Sequence, residues 1–314
     1  MTIEETAALL LSKDNILILT HARPDGDTIG CAAALCAALR KKGKTAFALP
    51  NNGATETYRG YLAPYEAPAD FQPSFVVSVD VAALQLFPKE ALPYKDSIGL
   101  AIDHHPSYGG FAKESCVQPH RAACGEIIYE LCCTMGVLDE EIALPLYVAV
   151  STDTGCFVYS NTTPHTHRVA ADLLAVGGFA PAVNKKLFRT KSFARIKLEG
   201  LMAETMQFYD GGAIVFAPVK LSMLAEAQAN DADAEDLSAF TSQIAGAHVT
   251  ATLRETEEGN CKISLRTDET LNATKVCALL GGGGHAAASG ALYHGSVEEA
   301  MQALLAAIRQ VQHG

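Results

Sequence analysis

An α/β fold of two domains is predicted from three observations. Short apolar runs ending in aspartate alternate with helical stretches through the first half, a charged amphipathic segment follows, and strand-like runs resume beyond it. The expected layout is a parallel-sheet N-terminal domain over 1–185, a connecting helix over 186–210 and a smaller α+β C-terminal domain over 211–314.

Asn15 to Thr20 is an apolar run that leads to Pro24-Asp25-Gly26, and it reads as a strand followed by a bend. Ile29 to Lys42, alanine-rich and closed by Gly43, reads as a helix. Phe75 to Asp80 and Ile98 to Asp103 read as short buried strands, each with its aspartate at the end. Glu126 to Met135 reads as a helix. So does Glu141 to Ser151, although Leu144 to Val150 has the β-branched content of a strand. From Asn184 to Gln207, Leu187, Ile196, Leu198, Leu201 and Met206 recur among charged residues, as in a connecting helix whose Lys185 to Lys197 basic cluster faces solvent. Ala213 to Ala217, His248 to Arg254 and Lys262 to Arg266 read as strands, and Val297 to Gln312 as a helix. Open parallel sheets bind ligands beyond the carboxyl ends of their strands, where these aspartates fall.

The 314 residues, 49% of them hydrophobic, suffice for two cores. No apolar stretch approaches the roughly 20 residues of a membrane span. The start, Met1-Thr2-Ile3-Glu4-Glu5, lacks the pattern of a secretory signal, so cytoplasmic residence is expected. Nine cysteines include no Cys-x-x-Cys pair and are expected to be reduced and mostly buried. The net charge of −11, without a basic stripe, argues against a grip on long nucleic acid; a nucleotide substrate would be short and held locally.

His21, Asp25 and Asp27 place an imidazole and two carboxylates within seven residues, with Pro24 and Gly26 helping the segment to bend. Such hard ligands suit Mn²⁺, Mg²⁺ or Fe²⁺. Taken alone, the segment reads equally well as an Asp-Gly turn beside a surface histidine. Asp80 and Asp153 alone would read as caps or turn residues. Asp103-His104-His105 is harder to explain without a cation, because clustering three ionisable groups at the end of an apolar strand is costly. His165 and His167 have chelating spacing, but a hydrophilic loop is the preferred reading.

His-Ala-Arg-Pro-Asp-Gly-Asp-Thr-Ile-Gly from His21, Val-Asp at Asp80, Ile-Asp-His-His-Pro from Ile102 and Thr-Asp-Thr-Gly around Asp153 resemble, in order, the four motifs of the DHH phosphoesterase family. Gly281-Gly282-Gly283-Gly284-His285 resembles the signature of that family's associated C-terminal domain. The nearest subgroup is that of bifunctional oligoribonucleases and phosphoadenosine-phosphate phosphatases. The resemblance implies a two-metal hydrolase in which His21, Asp25 and Asp80 hold one ion, and Asp27, Asp80, His104 and Asp153 the other, with Asp80 as the bridge. His105 would lie near the transferred phosphate and Asp103 would act from behind it. Gly282, Gly283, Gly284 and His285 would cradle a substrate anion through backbone N–H groups and an imidazole, and Arg266 would clamp a second phosphate. Relatives often carry asparagine where this chain has Tyr108, which bears on local substrate contacts.

The cofactors implied are two divalent ions, Mn²⁺ first and Mg²⁺ or Fe²⁺ as alternatives. The expected partners are short RNA oligonucleotides and small nucleotides, with no membrane; a homodimer is left open. Short oligoribonucleotides and 3′-phosphoadenosine 5′-phosphate are the favoured substrates. Cyclic or linear dinucleotides are the enzymatic alternative, and a catalytically dead nucleotide-binding module the non-enzymatic one.

Overall fold

Ile16–Leu19, four apolar residues that are all buried, form β1 at the centre of the first sheet. Their side chains alternate between two cores: Ile16 and Ile18 face the larger one, Leu17 and Leu19 the smaller. The computed structural model describes residues 1–268 and 270–313. These divide into two compact units, one from Met1 to Thr190 and one from Lys191 onward.

The first unit holds five parallel strands in the order β2-β1-β3-β4-β5, where β2 is Ala46–Ala48, β3 Phe75–Val79, β4 Ile98–Asp103 and β5 Glu114–Val117. The helices are α1 (Ile3–Leu11), α2 (Gly26–Lys41), α3 (Glu56–Leu62), α4 (Cys124–Met135), α5 (Glu140–Asp153), α6 (Pro164–Val176) and α7 (Ala180–Phe188). All seven contribute to the larger core. The other sheet face is covered by loops carrying Phe71, Phe87 and Phe111 and by a 3-10 helix, Lys89–Tyr94. Helix α1 starts from a Thr2/Glu5 capping box.

In α2 every residue from Gly26 to Leu39 is buried, and its alanines let neighbouring elements approach from all sides. Gly26 is its first residue, not part of a turn. A Cβ on Gly26 would lie 2.3 Å from Thr152 Oγ1, so this glycine makes room for the end of α5. The ambiguous stretch over 144–150 is helical within α5. Asp139 caps that helix by accepting from Ile142 N, and Glu140 and Glu141 occupy its first turn, where they suit the helix dipole.

The second unit contains α8 (Phe193–Thr205), β6 (Gln207–Tyr209), β7 (Ile214–Val219), α9 (Leu221–Ala227), α10 (Ser238–Thr241), β8 (Val249–Glu255), β9 (Cys261–Thr267), α11 (Ala273–Ala278), β10 (Gly283–Gly284), β11 (Ala288–Tyr293) and α12 (Val297–His313). Its six-stranded sheet, ordered β10-β11-β9-β8-β7-β6, is antiparallel except for the β7–β8 pair. Phe216 packs on one face with Val276, Leu304 and Ile308; Ala217 and Val219 pack on the other with Leu198, Met202 and Leu237.

The single connecting helix expected over 186–210 is instead two helices, because α7 ends at Phe188 and Ser192 starts α8 by accepting from Arg195 N. Helix α8 is a wall of the second unit's core. The basic cluster is not a solvated face throughout: Arg195 is largely buried, donates to Glu199 and to Asp233 O, and Lys191 also reaches Glu199. Among the described residues, no helix is long and apolar enough to cross a membrane.

Candidate metal centre

The carboxyl ends of β1, β3 and β4 deliver the site. His21 follows β1 by two residues, Asp80 immediately follows β3, and Asp103 closes β4 ahead of His104 and His105. Asp25 is the N-cap of α2, its Oδ1 accepting from Asp27 N at 3.0 Å and Thr28 N at 3.2 Å. Asp153 is the last residue of α5. Asp80 has φ +57°, a left-handed conformation that aspartate tolerates better than most residues, and its amide is tied to Ile102 O.

Two groups have the spacing to grip one ion each. In His21, Asp25 and Asp80, and again in Asp27, His104 and Asp153, the candidate ligand atoms lie within 4.8 Å of one another. Asp80 also stands beside the second group, with Oδ1 3.5 Å from His104 Nε2 while Oδ2 lies 3.6 Å from His21 Nε2. One carboxylate thus faces both clusters.

A third grouping of Asp80, His104 and His105 is equally close. The hydrogen bonds argue against His105 as a ligand through its near nitrogen: His105 Nδ1 lies 2.7 Å from Asp103 Oδ1, and a proton there satisfies the carboxylate. His104 is oriented differently. Its Nδ1 contacts Arg121 O at 3.1 Å and must donate to that carbonyl, which turns the Nε2 lone pair toward Asp27, Asp80 and Asp153.

Asp27 serves two purposes. Its Oδ2 accepts from Cys124 N at 2.7 Å and its Oδ1 from Gly125 N at 2.9 Å, so it caps α4, whose own N-cap is Ala123 with no side chain to offer. Asp103, fully buried, accepts through Oδ1 from the amides of His104 and His105 as well as from the His105 ring.

The electrostatics call for a cation. Burial and the charge of Asp80 push Asp27 up to about 8. Burial, with Asp27 and Asp80, raises Asp153 well above the carboxylate range. Burial also opposes the charge on Asp80, but the His21 hydrogen bond and the His104 charge outweigh it and hold Asp80 at about 2. At His21 burial disfavours the imidazolium, yet Asp25 and Asp80 lift it to about 10. Asp80 Oδ1 is buried without a hydrogen-bond partner. Carboxylates crowded in low dielectric, with an orphaned oxygen between two imidazoles, fit divalent cations bound by oxygen and nitrogen. Thiolate ligation does not fit: Cys31 donates to Asp27 Oδ1, and burial drives the Cys31 and Cys124 thiols up, toward the protonated form.

The other sequence-designated residues are distributed as follows. Tyr108 accepts from Ala112 N and packs edge-on against Phe111, which shapes the loop beyond the histidines. His165 and His167 are in the first turn of α6, not in a loop: Thr163 caps that helix, His167 stacks on Phe157, and His165 stands 3.4 Å from Glu130. In the second unit, Arg266 pairs with Ala288 across the sheet, and Ala288 N bonds to His285 O, which places the arginine beside the glycine run. The Gly281 and Gly282 amides do not await an anion. They bond to Ala278 O and Cys277 O and close α11, while Gly283 and Gly284 pair with β11. Gly281 takes φ +74°, and a Cβ on Gly282 would lie 2.1 Å from Gly290 O. Arg266 Nη2 approaches Asp236 at 3.7 Å.

Sequence reasoning passed over the groups that hold these side chains in place: the Arg121 carbonyl, the Cys124 and Gly125 amides, Asn51 and Asn161. Backbone groups carry no residue-type signal, and both asparagines act on backbone.

The N-terminal domain of the DHH family matches residues 15–177, and the DHHA1 domain matches residues 214–314. A bifunctional oligoribonuclease and PAP phosphatase NrnA from Thermus thermophilus is 32% identical over 298 residues, covering 94% of this chain and 89% of that protein. A protein of the same name from Bacillus subtilis is 25% identical, covering 88% and 89% respectively. Among solved structures, an exopolyphosphatase-related protein from Bacteroides fragilis shares the fold with a TM-score of 0.87 at 23% identity, covering 99% of this chain and 96% of that one.

Proposed function

The chain belongs to the DHH family of phosphoesterases and is a hydrolase; from that premise we propose that it cleaves short oligoribonucleotides to mononucleotides and 3′-phosphoadenosine 5′-phosphate to AMP. The observation that carries this reading is one buried carboxylate, Asp80, facing two ligand clusters, in a chain similar over nearly its whole length to an oligoribonuclease and PAP phosphatase. His21, Asp25 and Asp80 would hold one divalent ion; Asp27, Asp80, His104 and Asp153 the other. Mn²⁺ suits this oxygen-rich, imidazole-containing set, with Mg²⁺ and Fe²⁺ as alternatives. Two such ions would supply a water of lowered pKa and neutralise charge on the phosphoryl oxygens.

The protein's own groups do the rest. The Arg121 carbonyl and the α4 amides fix His104 and Asp27. Asp103 holds a proton on His105 Nδ1 and orients that ring, to which we assign contact with the transferred phosphate. In the second unit, Arg266, His285 and the exposed part of the glycine run, Gly283 and Gly284, would bind a substrate anion. Gly281 and Gly282 contribute shape instead of amides.

Incubation with Mn²⁺ and an RNA dimer to pentamer, and separately with 3′-phosphoadenosine 5′-phosphate, tests the assignment; the linear dinucleotide pApA serves as a comparison. Release of mononucleotides and of AMP, abolished by a chelator, is expected. Turnover of neither favoured substrate would overturn it.

Three variants probe the roles. Asp103→Asn should lower kcat by about 10-fold with little change in KM, because the ring behind the phosphate loses its charged anchor. Gly283→Ala has nothing within 4 Å of its new Cβ and should leave stability within about 0.5 kcal/mol while raising KM. Gly282→Ala collides with backbone and should cost about 3 kcal/mol, read by denaturant titration.

A further inference from the structure

Two asparagine amides stand behind the candidate ligands, and each donates twice. Asn161 Nδ2 donates to Asp153 O and to Ala122 O, both at 3.0 Å. Ala122 belongs to a five-residue stretch that serves the other ligands of the same cluster. Arg121 O takes the His104 Nδ1 proton, and Cys124 N and Gly125 N hold Asp27. Asn161 therefore joins the backbone of Asp153 to the segment that orients His104 and Asp27. Asn51 Nδ2 donates to His21 O and to Thr20 Oγ1, both at 2.8 Å, while its Oδ1 accepts from Gly53 N. This clamps the backbone of His21, and none of these three bonds goes to Asp27, His104 or Asp153.

We infer that Asn161 and Asn51 are positioning residues, each serving one half of the two-ion centre: Asn161 the ion of Asp27, His104 and Asp153, and Asn51 the ion of His21 and Asp25. The inference rests on the two-ion reading above. Asp153 ends a helix and begins a turn in which Gly155, Cys156 and Phe157 all have left-handed φ, between +56° and +67°. A ligand at the mouth of such a turn needs an external tie to hold its distance from His104, because the turn can relax into commoner conformations. Asn161 supplies that tie from the far side of the turn. Both of its acceptors are carbonyl oxygens, so only an amide nitrogen satisfies them; a carboxylate of the same shape would be repelled.

Mn²⁺ binding, followed by titration calorimetry and electron paramagnetic resonance on the full chain, separates the two halves. A His21→Ala background leaves the Asp27–His104–Asp153 ion alone. There Asn161→Ala and Asn161→Asp should each weaken binding about 10- to 100-fold, and Asn51→Ala should change it less than about threefold. An Asp153→Ala background leaves the His21–Asp25 ion, and the ranking should reverse. Asn161 is exposed, so its variants should keep the thermal midpoint of the metal-free protein, which a merely structural role would lower. Asn51 is buried, and if its variant does not fold the Asn161 pair still decides the question. Equal affinities in Asn161→Ala and its parent would overturn the inference and leave the two-ion reading intact. A wild-type chain that binds fewer than two Mn²⁺ would overturn both.

Discussion

Asp80→Asn should lower kcat on the order of 10³-fold or more while the chain still folds, because it removes the one carboxylate placed between both ligand clusters. Asparagine is the informative replacement. It keeps the shape and is among the residues that accept φ near +57°, whereas alanine would add backbone strain and confuse loss of chemistry with loss of fold. The Asp80 amide bond to Ile102 O is unaffected by the change. What disappears is the negative charge between the two ligand clusters, and with it the anionic oxygens that face His21 and His104. A thermal-shift titration gives a second readout. Wild-type protein should gain about 2.7 kcal/mol of stability at a Mn²⁺ concentration 100 times its Kd, and Asp80→Asn should gain little. An Asp80→Asn protein that keeps full hydrolysis would refute the bridging role outright.

Gly30→Ala should be the most damaging single methyl in the first unit. A Cβ at Gly30 would lie 2.2 Å from Pro145 O, 2.9 Å from Ala149 Cβ and 3.1 Å from Ala149 N. The carbonyl is part of α5 and cannot rotate aside, so α2 and α5 must separate. Overpacking of this kind costs about 3 kcal/mol or more when backbone is the obstacle, which lowers the thermal midpoint by roughly 6–12 °C in a unit of this size. The consequence reaches the site, because α2 carries Asp25 at its cap and Asp27 in its first turn, while α5 ends on Asp153. Weaker Mn²⁺ binding in the fraction that folds is therefore expected as well. Gly60, with nothing within 4 Å of its Cβ position, is the control: Gly60→Ala should be within about 0.5 kcal/mol of wild type, and comparable losses at both positions would sink the clearance argument.

Much of this site is legible in one dimension. A ligand carried just past the end of an apolar strand needs only local information: the apolar run sets β1, β3 or β4, and the polar residue follows it. His21, Asp80 and the Asp103-His104-His105 triplet could be read in this way, and α2 could be read from its composition. The helical assignment of α5 was closer to a decision between two local patterns, and Asp139 with two acids behind it tips it. Other features are local yet ambiguous. The Gly26 of Asp-Gly-Asp looks like a turn residue, and the glycines at 281 and 282 look like an anion nest; clearance for Thr152 and closure of α11 explain them instead.

Local pattern alone marks the charged side chains and the strands whose ends carry His21, Asp80 and the Asp103-His104-His105 triplet to one sheet edge. Only the packed chain reveals that Asp27 caps α4 across 97 residues, that His104 Nδ1 meets Arg121 O, that Asn51 donates to His21 O and Asn161 to Asp153 O, and that the expected connecting helix breaks before Ser192. The reason is physical. Strand and helix patterns arise from side chains a few positions apart, whereas these braces join backbone amides and carbonyls that every residue possesses, brought together only when the sheet and its helices have packed.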